Sequence, residues 1–318
     1  MVRISFVVVI ILIMLTGCQT TLVVSPPQVD ALSTSPPPTP GDLPPTPAAR
    51  SIPTREITAA PAATVPLTET PLIQPDAEAL PRSSPATSLP PDVILVGTSV
   101  EGRDIVARRI GSGSRVLLLV GGIHGGWEDN TVTLIHELMV HFEANPADIL
   151  PGMALMFVPV ANPDGIPHGR TEAGRFNANG VDLNRNWGCE WSADARWRDQ
   201  AVNAGDEPFS EPETRALSAF IQNLQPVTVL FYHSAAGGVY AGNCEGDHGS
   251  ALMSQILGQA TGYSYGQAFS AYRVTGTAAS WVDGLGIPSA DVELLSWYDS
   301  EFERNLAGIM ALQEWLAG

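Results

Sequence analysis

Apolar residues recur along this chain in two rhythms. RVLLLV (115–120), MALMFVPVA (153–161), VTVLFYH (227–233) and SADVELL (289–295) are short and apolar nearly throughout. Strands of that kind are covered on both faces, as in a parallel sheet. IVARRI (105–110) reads as a further strand, joined to RVLLLV by the turn GSGS. Between these runs the spacing becomes helical, in TVTLIHELMVHFEA (131–144), SEPETRALSAFIQNL (210–224), ALMSQILGQA (251–260) and LAGIMALQEWLA (306–317). Asn130 or Asp129 is placed to cap the first of these helices and Ser210 the second. Alternating strands and helices predict an α/β fold: a mixed, mostly parallel central sheet with helices on both faces. Ligands gather at the carboxyl ends of the strands in such sheets. His124, His233 and Glu293 fall at or near such ends.

The first 92 residues follow neither rhythm. One Arg precedes the apolar run FVVVIILIML (6–15), which suits the core of a secretory signal and is short of the roughly 20 residues that span a bilayer. LTGC (15–18) resembles the lipobox of bacterial lipoproteins. That resemblance implies a signal peptide at 1–17, cleavage before Cys18 and a lipid anchor on Cys18. The alternative is an ordinary secretory signal with an incidental Cys. Residues 19–92 hold 18 of the 27 prolines, many Ser and Thr, and no periodic apolar pattern. Proline fixes φ and removes backbone donors, so such a segment builds neither ladder nor core. Residues 18–92 therefore read as the anchor Cys and a disordered Pro/Ser/Thr-rich tether. At about 3.1 Å per residue the tether would reach roughly 200 Å when extended. The expected location is extracytoplasmic, lipid-anchored to a bacterial cell envelope, with the folded domain at 93–318.

Charge narrows the partners. Residues 93–318 carry 12 Arg against 26 acidic residues, and the chain has no Lys. A net negative surface with sparse cations argues against a nucleic-acid partner. Cys189 and Cys244 are the two cysteines left after Cys18. In an exported domain they are expected to pair as a disulfide, and two buried free thiols are the alternative. A monomer is expected.

The candidate chemistry starts from GGIHGGWEDN (121–130), where a histidine and an acid follow a buried strand in a glycine-rich turn. His136 and His141 in HELMVH are five apart. That turns them about 140° from each other on a helix, so they cannot share one ion. His168 and His248 lie in polar loops. His124 and His233 each end an apolar strand, where a ligand would be held rigidly, and taken alone each reads equally as an ordinary hydrogen-bonded strand-end histidine.

NPDG (162–165), GRFNANGVDLNRNW (174–187), PFSEPETRA (208–216), YHS (232–234) and VEL (292–294) follow in that order. Together they resemble the zinc carboxypeptidase family, which includes pancreatic carboxypeptidase A and bacterial murein-peptide peptidases. The resemblance runs from about 94 to 316. It implies one Zn2+ per catalytic domain, held by His124, Glu128 and His233. Asn184 and Arg185 would hold the free carboxylate of the substrate. Arg175 would polarise the scissile carbonyl, Glu293 would be the catalytic glutamate and Tyr272 the mobile tyrosine that closes on substrate. One departure stands out: the family's first His and its Glu are separated by two residues, and here Gly125, Gly126 and Trp127 intervene. Glu128 is the expected ligand, with Asp129 as the other oxygen donor nearby.

The implied activity is zinc-dependent hydrolysis of the C-terminal peptide bond of peptides, by activated water with a glutamate base. The alternatives are a murein-peptide hydrolase acting on a γ-glutamyl-diaminopimelate bond, a catalytically impaired peptide-binding homologue, and a deacylase of N-acyl amino acids. Partners are thus a peptide or a peptidoglycan stem peptide, and a membrane through the lipid. The family's specificity position shortly before Trp281 falls in TAAS (277–280), at Ala279, with no acid there to receive a basic side chain. That predicts an apolar or small terminal residue.

Overall fold

The structure is a computed structural model, and it describes residue 90, residues 92–266, residue 269 and residues 272–318. The expected signal peptide, the Cys18 anchor and nearly all of the 18–92 tether lie outside the described residues. No helix among the described residues is long and apolar enough to cross a membrane.

β1 (Val93–Thr98) and β2 (Asp104–Ile110) form an antiparallel pair, followed by β3 (Arg115–Val120). Then come α1 (Asp129–Ala144), β4 (Met153–Val158) and a single turn, α2 (Glu172–Arg175). β5 (Ala195–Trp197) and β6 (Gln200–Val202) make a separate small hairpin. α3 (Pro212–Leu224), β7 (Thr228–Ser234), β8 (Gly238–Ala241), α4 (Ser250–Thr261) and β9 (Ser264–Tyr265) follow. The chain closes with α5 (Ala278–Gly284), β10 (Ser289–Leu294) and α6 (Phe302–Ala317). One eight-stranded sheet has the order β1-β2-β4-β3-β7-β10-β8-β9. It is parallel across β4, β3, β7 and β10, and antiparallel at β2–β4 and β8–β10.

The period-two geometry of strands sorts the core into two layers. Leu117, Leu119, Leu155, Phe157, Leu230, Tyr232 and Val292 pack on one face against α1, α4 and α6. Val116, Leu118, Val120, Met156, Val229 and Phe231 pack on the other face against Leu217 and Ile221 of α3 and Val282 of α5. Every residue of β4 and β7 is buried. The apolar sequence of β4 and of Val229–Tyr232 in β7 follows from that, as does the arrangement of helices on both sides.

β2 and β3 are joined by the GSGS turn as expected, and in the sheet β4 lies between them. Two local expectations need correction. The cap position of α1 is Glu128, and no side chain caps the helix, so neither Asn130 nor Asp129 has that role. The cap position of α3 is Glu211, with Pro212 in the first turn, and the Ser210 hydroxyl donates to the Glu211 carboxylate at 2.8 Å. Cys189 and Cys244 are joined by a disulfide with Cα atoms 5.9 Å apart and a sequence separation of 55. In the chain-entropy account, closing a loop of that length stabilises the fold by about 4 kcal/mol.

Candidate active site

β3, β7 and β10 run parallel, so their carboxyl ends share one edge of the sheet. His124 follows β3, and His233 and Glu293 lie on β7 and β10 in direct register. Parallel neighbours are about 4.8 Å apart, so the His233 and Glu293 positions are held at close range by the backbone itself. His233, Glu293 and Asp291 all project on the face that carries Phe231.

The lengthened turn after His124 is absorbed by a short 3-10 helix, Gly125–Glu128. Gly125 has φ +45°, and a Cβ there would meet the Gly174 carbonyl oxygen at 2.7 Å. A Cβ on Gly126 would meet the Gly169 Cα at 2.8 Å. Only glycine lets this turn sink against the loops 165–174, and the result aims Glu128 inward. His124, Glu128 and His233 are all buried and offer one ligand atom each, all within 4.8 Å of one another. Asp129 points elsewhere, taking the Arg170 guanidinium at 2.8 Å.

This group fits a catalytic zinc. Two imidazoles and a carboxylate are a known donor set for that ion, with a further position left open. The His124 Nδ1 is buried without a hydrogen bond, 3.7 Å from Asp182 Oδ1, a costly state for an imidazole nitrogen that a bound cation beside the ring would relieve. Burial, with Arg175 beside it, holds the His124 imidazole well below its ordinary value, which keeps it neutral and able to donate a lone pair. Burial also opposes charge on His233, but the Asp291 and Glu128 carboxylates outweigh it and raise that imidazole well above its ordinary value. A cation among these groups would reverse that sign, since it repels imidazolium and satisfies the carboxylate.

Around the trio lies a ring of supporting contacts. The Arg175 guanidinium donates to Asp182 from Nη2 at 2.8 Å and from Nε at 3.2 Å, and its Nη1 lies 3.7 Å from Glu128 Oε1. Its other side rests on the Trp197 ring, 4.5 Å from the centroid. Asp182 is fully buried, yet Arg175, Arg185 and His124 overcome the cost of burial and hold its carboxyl well below the usual carboxylate range. The His233 Nδ1 lies 3.2 Å from Glu128, and its Nε2 lies 3.2 Å from Asp291 Oδ1. Asn184 is fixed by the Ala278 N–H, which donates to its Oδ1 at 2.9 Å. Arg185 donates to two carbonyl oxygens, those of Arg196 at 3.0 Å and Asn184 at 2.7 Å, and has no carboxylate partner among the described residues. Glu293 accepts the Ala236 N–H at 3.1 Å, and burial pushes its carboxyl up to about 7.

All of these groups except Asp182 border one cavity of about 500 Å³, and Tyr272 borders it as well. The structure therefore brings His124, Glu128, His233, Arg175, Asn184, Arg185, Tyr272 and Glu293 to one place. Ala279 is not among the residues that line it; it is buried in the core, where its carbonyl accepts from Ser289. Asp182 and Asp291 are the site residues that reading the sequence missed. Asp182 stood inside VDLNRNW without a stated role. His136 is exposed and His141 pairs with Asp148 at 2.8 Å, as befits helix surface. His248 bonds to Asp283.

The most distinctive motif residues turn out to be scaffolding. Asn162 of NPDG donates to the Phe176 carbonyl at 3.0 Å and accepts from Gly165, fixing the loop that presents Arg175. Asp164 accepts from Ser99 at 2.7 Å. Asn186 of LNRNW donates to the Ala204 carbonyl and accepts from Thr214. Their specificity is thus that of a folded support.

Comparison with known proteins agrees with this geometry. Murein peptide amidase A of Escherichia coli is 33% identical over 158 residues, which is 46% of this chain and 60% of that protein. An inactive metallocarboxypeptidase, ECM14 of Ajellomyces dermatitidis, is 30% identical over 172 residues, 45% of this chain and 29% of that protein. The chain thus spans less than two thirds of the length of either relative. The crystal structure of murein-tripeptide amidase MpaA from Escherichia coli O157 superposes with a TM-score of 0.53 at 25% identity, covering 73% of this chain and 94% of that one. The family model described as zinc carboxypeptidase matches residues 91–295, more than half of the chain, and the chain belongs to that family of metallopeptidases.

Proposed function

We propose that this protein is a zinc-dependent exopeptidase that removes the C-terminal residue of a peptide. The observation that carries the reading is convergence: three side chains able to hold a metal, the Glu293 carboxylate and an Arg185 guanidinium with no carboxylate partner among the described residues meet around one cavity. A zinc ion held by His124, Glu128 and His233 would supply Lewis acidity and lower the pKa of a bound water. Glu293 takes a proton on the water side and passes it to the leaving nitrogen. Arg175, held in place by Asp182, sets a fixed positive charge where oxyanion charge develops. Arg185 grips the terminal carboxylate with a guanidinium fork that Lys could not reproduce, and Asn184 assists. That grip sets which amide reaches the reacting centre, which is what makes the activity terminal. Tyr272 closes over the bound end.

A murein stem peptide is the second reading. What supports it is the likeness to a murein peptide amidase and to the murein-tripeptide amidase structure, the latter over nearly the whole of that chain. On this reading the bond cut is γ-glutamyl-diaminopimelate. The Cys18 lipid and the Pro-rich tether would place the domain outside the cytoplasmic membrane, within reach of such substrates. An impaired homologue is less favoured, because no expected site position has been lost.

The test is metal analysis of the purified full-length protein together with hydrolysis of ordinary peptides and stem peptides, with and without chelator. One zinc per chain and chelator-sensitive release of the terminal residue are expected. A protein that binds zinc but releases nothing from either substrate set would be the binding homologue instead.

A further inference from the structure

The cavity has a deeper compartment whose chemistry is unlike the rest. Asp291 precedes Glu293 by two residues on β10, on the same face. Two strand steps are about 6.6 Å, so Asp291 lies that far below Glu293 along the strand, away from the carboxyl edge of the sheet. On the neighbouring strand β8, Tyr240 stands directly opposite Asp291. Tyr240 packs edge-on against Phe269 at 5.3 Å, and Phe269 against Tyr272 at 5.0 Å. These three rings and Asp291 all line the cavity. An aromatic wall thus leads from the expected lid residue down to a carboxylate.

That carboxylate is half used. Oδ1 faces the His233 Nε2 at 3.2 Å, and Oδ2 has no hydrogen bond or ion pair among the described residues. The side chain keeps 19% of its surface exposed, and that surface borders the cavity. With the terminal carboxylate on Arg185 and the scissile amide beside Glu293, the side chain of the terminal residue has this compartment to enter. An apolar side chain there would cover a carboxylate oxygen and leave it unpaired, which is unfavourable. A side chain ending in an ammonium would pair with it, and a four-carbon stem spans a length comparable to the two strand steps. The aromatic rings would flank the stem and add attraction for the cation.

We propose that Asp291 is the specificity-determining residue of this site, selecting substrates whose terminal residue carries an ammonium on its side chain, a diamino acid. The assignment rests on the exopeptidase reading above. It replaces the apolar preference expected from Ala279.

The experiment compares peptides ending in lysine with peptides ending in norleucine, which lacks only the ammonium, on the zinc-loaded full-length protein. The wild type should favour lysine in kcat/KM by about 30-fold or more. Asp291→Asn keeps an oxygen toward His233 while removing the charge, and the lysine-to-norleucine ratio should fall toward one whatever happens to the absolute rates. A ratio that is the same in wild type and variant would confine Asp291 to holding His233 and overturn the proposal. Calorimetric titration of the wild type with free lysine and with free norleucine needs no turnover. Tighter binding of lysine is expected there, and equal or weaker binding overturns the proposal even if no peptide is cleaved. Failure to cleave either peptide, by contrast, counts against the exopeptidase reading alone.

Discussion

Glu293 is a carboxylate whose surroundings disagree with its charge. Burial lifts its carboxyl to about 7, and a base must be ionised to accept a proton, so kcat/KM falls as pH drops through that value. A cation held opposite pulls the value down, which puts the acidic limb of the zinc-loaded enzyme below 7. A pH–rate profile in which the limb lies well above 7 would remove Glu293 from the role of base. Glu293→Gln should keep zinc and lose about 100-fold or more in kcat. Arg185 makes a different prediction, because its two carbonyl partners leave it available to a substrate carboxylate. Arg185→Ala should raise KM steeply for peptides with a free C-terminus and little for the same peptides as amides, read from paired kinetics. His124 and His233 drew notice in the sequence because each ends an apolar strand, and Glu128 entered through the family resemblance; the structure brings the three within 4.8 Å of one another. Asp182 and Asp291 drew no such notice, since an acid among 33 acids announces nothing until its neighbours are known.

The turn between His124 and Glu128 is the element in which sequence and family pattern part. Its extra residue is accommodated by backbone that passes within contact distance of three other glycines, Gly165, Gly169 and Gly174. Gly125→Ala would meet both a left-handed φ and the Gly174 carbonyl. The variant touches no ligand, yet it should displace Glu128 and weaken zinc binding by roughly 10-fold or more, measured by competition with a chromogenic chelator. Unchanged affinity would show that the turn tolerates movement and that the glycines have another purpose. Long apolar strands and amphipathic helices were readable from their period. β5, β6, β8 and β9 were not, because two to four residues carry no period, and their positions follow from tertiary packing. The same holds for α5, whose place is set by the Thr277 hydroxyl accepting from Ser280 and by burial of Val282.

At the scale of the whole chain, the proposed tether makes location testable. If Cys18 carries the lipid, Cys18→Ser should move the protein from the membrane fraction to the soluble one and leave peptide hydrolysis unchanged. A membrane-bound variant would show that something other than Cys18 retains it. The α/β class was readable from alternation, but the strand order was not. β10 comes last in sequence and lies between β7 and β8 in space, a fact that no local pattern encodes. That insertion has a consequence for synthesis. A chain that has emerged only as far as β8 already possesses both histidines and Glu128, yet it has neither Glu293 nor Asp291. On the proposed mechanism, hydrolysis therefore waits on one late segment, β10, taking its place between β7 and β8, and a copy truncated before it would lack the proposed base.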